Sequence, residues 1–131
     1  MNRILIVDDE EIGRTLMEDV FSKYGPFISV SSGKDALAVY QKGIEKGKPF
    51  NLVLLDISLN DISGMDVLEK IKQIDAGLQG QKSTVIMVTA HGERNMVLGC
   101  IKAGCRAYFI KPLKKDAVDK KMAELGFSPV K

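Results

Sequence analysis

The chain is poor in the residues that build soft-metal and redox centres, with one histidine (His91) and two cysteines (Cys100 and Cys105) among 131 residues. There is no CxxC spacing and no second Cys/His pair to hold zinc, so both thiols are expected to be reduced and packed. A surplus of one charge sign is also missing. The 19 Lys plus Arg face 17 Asp plus Glu, a formal net charge of +2 with the signs interspersed, which argues against a module that binds nucleic acid directly. No apolar run approaches the roughly 20 residues that cross a bilayer, and Leu52 to Leu55 and Val85 to Val88 are strand-sized. Ile4 to Val7 is too short for a signal-peptide core and runs straight into Asp8 and Asp9. A cytoplasmic protein without membrane insertion is expected. No composition shift, internal repeat or low-complexity stretch divides the sequence, which reads as one domain over residues 1–126 and a short tail over 127–131, with no separate output or DNA-binding unit.

What is present is an alternation of short apolar runs with longer amphipathic stretches. With 45% hydrophobic and 27% charged residues, such a chain can bury one substantial core, and the alternation predicts a parallel sheet wrapped by crossover helices. Strands are expected at Arg3 to Val7, Phe27 to Val30, Leu52 to Leu55, Thr84 to Val88 and Ala107 to Ile110. The third and fourth are the most apolar and are expected at the buried centre. Helical spacing links Ile12, Leu16, Val20 and Phe21; Ala36, Leu37, Tyr40 and Ile44; Met65, Leu68, Ile71, Lys72 and Ile74; Met96, Val97, Cys100 and Ile101; and Ala117, Val118, Met122 and Leu125. Each set is expected to face the sheet, and Lys114, Lys115, Lys120 and Lys121 to form a solvated face of the last helix. Gly25 with Pro26, Gly47 to Pro49 and Gly77 to Gly80 punctuate the pattern.

The chemical signal lies at the strand ends. Asp8 and Asp9 follow the first strand and Asp56 follows the third. In an open α/β sheet, ligands bind beyond the carboxyl ends of the strands where the winding reverses, so these acids are expected to converge in one crevice. Converging carboxylates repel unless a cation sits among them, and an all-oxygen set favours a hard ion such as Mg²⁺. Thr89 and Lys111 follow the fourth and fifth strands. A hydroxyl donor and an ammonium point charge both suit a phosphoryl group. Taken singly, each of these residues reads as a turn, cap or solvated group; four segments delivering matching groups to one edge do not.

In these residues the sequence resembles the receiver domains of two-component response regulators, of the CheY type. The matching motifs are LIVDDEE, NLVLLDISL followed by Gly64, VIMVTAHG, and AGCRAYFIKPL, and the resemblance spans nearly the whole chain. It implies a flavodoxin-like (βα)5 three-layer sandwich with a five-stranded parallel sheet of order 2-1-3-4-5. It also implies that Asp56 is the phosphoacceptor, that Asp8 and Asp9 help bind Mg²⁺ together with Asp56 and the main-chain carbonyl of Ser58, and that Thr89 and Lys111 contact the phosphoryl group. A cis Lys111–Pro112 peptide is implied as well. The implied partners are a sensor histidine kinase or histidine phosphotransfer protein upstream and an effector protein downstream. The implied activity is signalling through self-phosphorylation and autodephosphorylation rather than enzymatic turnover of a separate substrate. Thr89 and Tyr108 would couple the modification to the face made by the fourth helix, last strand and last helix; the alternative for Tyr108 is a packed strand aromatic. His91 and Ser58 stand where side chains tune the lifetime of the acyl phosphate.

One departure from the family pattern stands out. Receivers commonly carry Pro four residues after the phosphoacceptor, where this chain has Asn60 followed by Asp61, so a less rigid loop is expected. Competing readings each lack a signature. A haloacid-dehalogenase-like phosphohydrolase would place its nucleophile in a DxD motif after the first strand, a flavodoxin-like mononucleotide binder would need a glycine-rich phosphate loop, and a scaffold that is never phosphorylated would not need an intact site.

Overall fold

The computed structural model describes residues 2–77, 82–90 and 94–130. Five strands alternate with five helices: β1 (Ile4–Val7), α1 (Glu11–Phe21), β2 (Phe27–Val30), α2 (Gly33–Glu45), β3 (Leu52–Leu55), α3 (Gly64–Ala76), β4 (Thr84–Thr89), α4 (Arg94–Lys102), β5 (Ala107–Ile110) and α5 (Lys115–Glu124). A short 3₁₀ turn, Ser22–Tyr24, finishes α1 ahead of Gly25 and Pro26. All strand pairings are parallel and the order is β2-β1-β3-β4-β5. The expected topology is therefore the observed one.

Alternation along the central strands explains the three layers. Leu5 and Val7, Val53 and Leu55, and Val85 and Met87 point to one face, where they meet Ala36 and Tyr40 of α2, Val67, Leu68 and Ile71 of α3, and Cys100 of α4. Their neighbours Ile4 and Ile6, Leu52 and Leu54, and Ile86 and Val88 point to the other, against Met17, Val20 and Phe21 of α1 and Val118 and Met122 of α5. Strands covered on both sides need apolar residues at every position, which is why these runs show no polar alternation. Each fully buried aliphatic side chain contributes about 1.5–3 kcal/mol of transfer free energy. β1 belongs to the buried centre along with β3 and β4.

Several helix positions depart from the expected stripes. Ile12 and Leu16 are 75% and 55% exposed, and Ile101 and Ala117 also face solvent. α1 begins beyond the end of β1, so its first turns overhang the sheet and only Met17, Val20 and Phe21 reach the core. Two strand bounds also shift by one residue. β1 starts at Ile4 rather than Arg3, and Thr89 is the last residue of β4 rather than the first beyond it. The expected turn at Gly77 to Gly80 runs into residues outside the described ones.

A buried polar knot ties α2, α3 and β4 together at the other end of the sheet. The Tyr40 hydroxyl donates to Asp75, and Ser83 donates to Asp75 Oδ2 through both its backbone N–H and its hydroxyl, each at 3.1 Å. Burial, reinforced by the Asp75 carboxylate, pushes the Tyr40 phenol well above its ordinary value. A satisfied network of this kind fixes which residues meet.

Candidate functional site

The winding reverses between β1 and β3, which are paired neighbours whose chains leave in opposite directions along the sheet. Asp8 and Asp56 are the first residues past those two strands, and the register that pairs Val7 with Leu55 brings them side by side. Backbone bonds hold both in the ladder: Asp8 N–H donates to Val30 O at 3.3 Å and Asp56 N–H to Val7 O at 3.0 Å. Asp8 is fully buried and Asp56 is 5% exposed, while Asp9 is half-buried. Carboxylate oxygens of the three lie within 4.8 Å of one another.

Lys111 follows β5, and its N–H donates to Thr89 O at 2.7 Å, which sets its chain direction beside the end of β4. Its ammonium donates to Asp8 Oδ2 at 2.7 Å and to Asp56 Oδ2 at 3.0 Å. The peptide that follows it, Lys111–Pro112, is cis. Asp8 Oδ1 accepts from Glu10 N–H at 2.9 Å, and Asp56 Oδ1 from Ser58 N–H at 3.0 Å. Burial pushes the Asp56 carboxyl above its ordinary value, against the pull of the Ser58 N–H and the Lys111 ammonium, and the Asp8 charge adds to the rise. For Lys111, burial acts to lower the pKa, but bonding to Asp8 and Asp56 outweighs it and the net direction is upward. Charge-assisted bonds of this length are the strong kind.

The donor set fits a hard divalent cation. Three carboxylates from two adjacent strand ends offer oxygen ligands only, with one of them open to solvent, as an ion that keeps several waters requires. Ser58 is exposed on the loop that follows Asp56. Thr89 is buried at the end of β4, one strand away from Asp56. Tyr108 pairs in register with Met87, not with Thr89, and its side chain is 38% exposed. It lines a groove of about 490 Å³ with Ile101, Ile110 and Ala117. His91 lies outside the described residues.

Two contacts at this edge escaped sequence reasoning. The Arg14 guanidinium donates from Nη1 to Asp8 O at 2.9 Å, and Asp61 binds the start of α2. Arg14 lies six residues beyond Asp8 and on the next helix, so its sequence position carries no sign of the contact; Asp61 stands next to Asn60, the departure from the usual proline, but its sequence position names no partner.

The response regulator receiver domain model matches residues 4–123, and the chain belongs to that family of two-component signalling proteins. Among curated relatives, the chemotaxis protein CheY of Bacillus subtilis is 34% identical, covering 89% of this chain and 91% of its own. The sporulation initiation phosphotransferase F of the same organism is 33% identical over 88% of this chain and 86% of its own. Among solved structures, the CheX–CheY–BeF3–Mg complex from Borrelia burgdorferi contains a chain that superposes with a TM-score of 0.81 at 25% identity, over 95% of this chain and 88% of that one. No helix among the described residues is long and apolar enough to cross a membrane.

Proposed function

We propose that this chain is a phosphoacceptor in a two-component relay. Asp56 takes a phosphoryl group from the phosphohistidine of a sensor histidine kinase or histidine phosphotransfer protein, and the modified chain binds an effector protein. The observation that carries this reading is the Lys111 ammonium bridging the buried carboxylates of Asp8 and Asp56, with Asp9 in reach. The magnesium in the Borrelia complex supports assigning the same ion to this donor set, with Asp8, Asp9, Asp56 and the Ser58 carbonyl as its ligands. Bound there, Mg²⁺ would supply positive charge that offsets the negative charge of the incoming phosphoryl oxygens.

The residues divide the work by position. An Asp56 carboxylate oxygen attacks phosphorus, the P–N bond to the donor imidazole breaks, and its electron pair stays on the leaving ring nitrogen. The product on Asp56 is an acyl phosphate; water attacking the same phosphorus later releases inorganic phosphate and restores the carboxylate. Lys111 is held where negative charge grows, and this kind of electrostatic positioning dominates phosphoryl transfer. The Thr89 hydroxyl donates to a phosphoryl oxygen. Its movement toward the site frees space for Tyr108 to turn in from the solvent, which changes the groove at Ile101, Ile110 and Ala117 that the effector reads.

Intact-mass measurement after incubation with acetyl phosphate and Mg²⁺ tests the reading. The parent chain gains one phosphoryl group and Asp56→Asn gains none. Equal labelling of the two, or none of the parent, overturns it.

A further inference from the structure

The loop from Ile57 to Ser63 is closed at its base by Gly64 N–H donating to Ile57 O at 2.8 Å. Its tip is tied to a different element. Asp61 Oδ1 accepts from Gly33 N–H and Asp61 Oδ2 from Lys34 N–H, both at 2.9 Å, so one carboxylate spans the first two amides of α2. Those amides have no partner within the helix, and a carboxylate there also meets the positive end of the helix dipole. The next residue seals the joint. A Cβ placed on Gly33 would sit 2.4 Å from Ile62 Cγ1, so the loop packs against α2 where only glycine fits.

We infer that Asp61 is a positioning residue for the metal site: by clamping the loop tip to α2, it holds the Ser58 main chain in place in a loop that has Asn60 where receivers commonly carry proline. The inference rests on the phosphoacceptor reading for its consequence, but its mechanism is local. Ser58 lies between the closed base and the clamped tip. With both ends fixed, its N–H stays on Asp56 Oδ1 and its carbonyl has one direction. Without the clamp, the loop must be ordered each time the ion binds, and affinity falls while the bound geometry is unchanged. Loss of a group hydrogen-bonded directly to a ligand typically weakens metal binding about 10–100-fold, and Asp61 acts one step further out, through the main chain, so the low end of that range is expected.

Calorimetric Mg²⁺ titration of the parent, Asp61→Ala and the double variant Asn60→Pro/Asp61→Ala tests this, alongside acetyl phosphate labelling at limiting and saturating Mg²⁺. Asp61→Ala is expected to bind Mg²⁺ about tenfold more weakly and to label slowly at limiting Mg²⁺, with saturating Mg²⁺ restoring the rate to within about twofold. Proline at position 60 is expected to recover most of the lost affinity. Asp61→Asn, which keeps the side-chain shape and an accepting oxygen, gives an intermediate affinity and serves if the alanine variant does not fold. Mg²⁺ affinity unchanged in folded Asp61 variants, or no recovery from the proline, overturns the inference even if the parent labels normally. A parent that binds Mg²⁺ but is never labelled overturns the proposed function instead, and the titrations still decide the role of Asp61.

Discussion

Gly13→Ala sets two effects of known size against each other. Gly13 lies within α1 and has no positive φ, so helix propensity alone predicts a gain of about 1 kcal/mol from alanine. The new methyl would instead sit 2.2 Å from Asp8 Oδ2 and 2.8 Å from its Cγ, deep inside van der Waals contact. Asp8 has nowhere to go. It is fully buried and is held by Lys111 at 2.7 Å and Glu10 N–H at 2.9 Å. Overpacking of this kind costs about 1–3 kcal/mol, and stretching a buried charge-assisted bond costs up to about 1.5–3 kcal/mol more. The unfavourable terms win, for a net loss of about 1.5–5 kcal/mol. Gly99→Ala in α4 is the control, because its Cβ meets only Met65 Cε at 3.5 Å; it should gain close to the full propensity term of about 1 kcal/mol. Urea unfolding followed by far-UV circular dichroism reads both. A Gly13→Ala chain as stable as the parent would refute the packing of Asp8 against α1.

Three further outcomes follow from the charges and thiols. Because burial raises the Asp56 pKa, the folded chain holds that proton more tightly than the unfolded one, and the ionised group opposes folding. Asp56→Asn in metal-free buffer should therefore be stabilising at neutral pH, with the gain shrinking as pH falls and gone below the unfolded value of about 4; a gain that grows on acidification would contradict this. Asp61 behaves oppositely, since the Lys34, Gly33 and Ile62 N–H groups hold its carboxyl down at about 2. Its contribution is present above about pH 4 and lost as pH falls through about 2, so the Gly33 and Lys34 amide resonances should titrate with that low midpoint rather than near 4. Cys100 and Cys105 are free and buried, and burial raises both thiols, Cys105 to about 11. Neither should react with a disulfide reagent at pH 8 until the chain unfolds, and rapid reaction of the native protein would show the packing to be wrong.

The strands were legible because their chemistry is local. A run such as Leu52 to Leu55 can be satisfied only between two covered faces, and the acids that end β1 and β3 stand where apolar sequence stops. The order of the sheet came from the family motifs rather than from periodicity, and the structure agrees with it. Helix stripes were less informative. Ile12 and Leu16 keep the period of the buried Val20, but they lie on turns that overhang the sheet edge, and periodicity carries no information about where a helix outruns its partner. Long-range polar contacts were invisible for a related reason. Nothing near Asp75 in the sequence points to Tyr40 or Ser83, and nothing near Asp61 points to Gly33; the fold alone brings them together. Asn60 in place of proline predicts a looser loop, and the adjacent Asp61 supplies a tie from that loop to α2.

The proposed phosphotransfer stands or falls on Asp56 being the residue that is modified. Borohydride reduces an aspartyl phosphate to homoserine, so peptide sequencing after phosphodonor treatment and borohydride trapping locates the modified residue directly. Homoserine at position 56, formed only when Mg²⁺ is present, is the predicted result. Homoserine at Asp8 or Asp9, or at position 56 to the same extent after chelation of Mg²⁺, would contradict it.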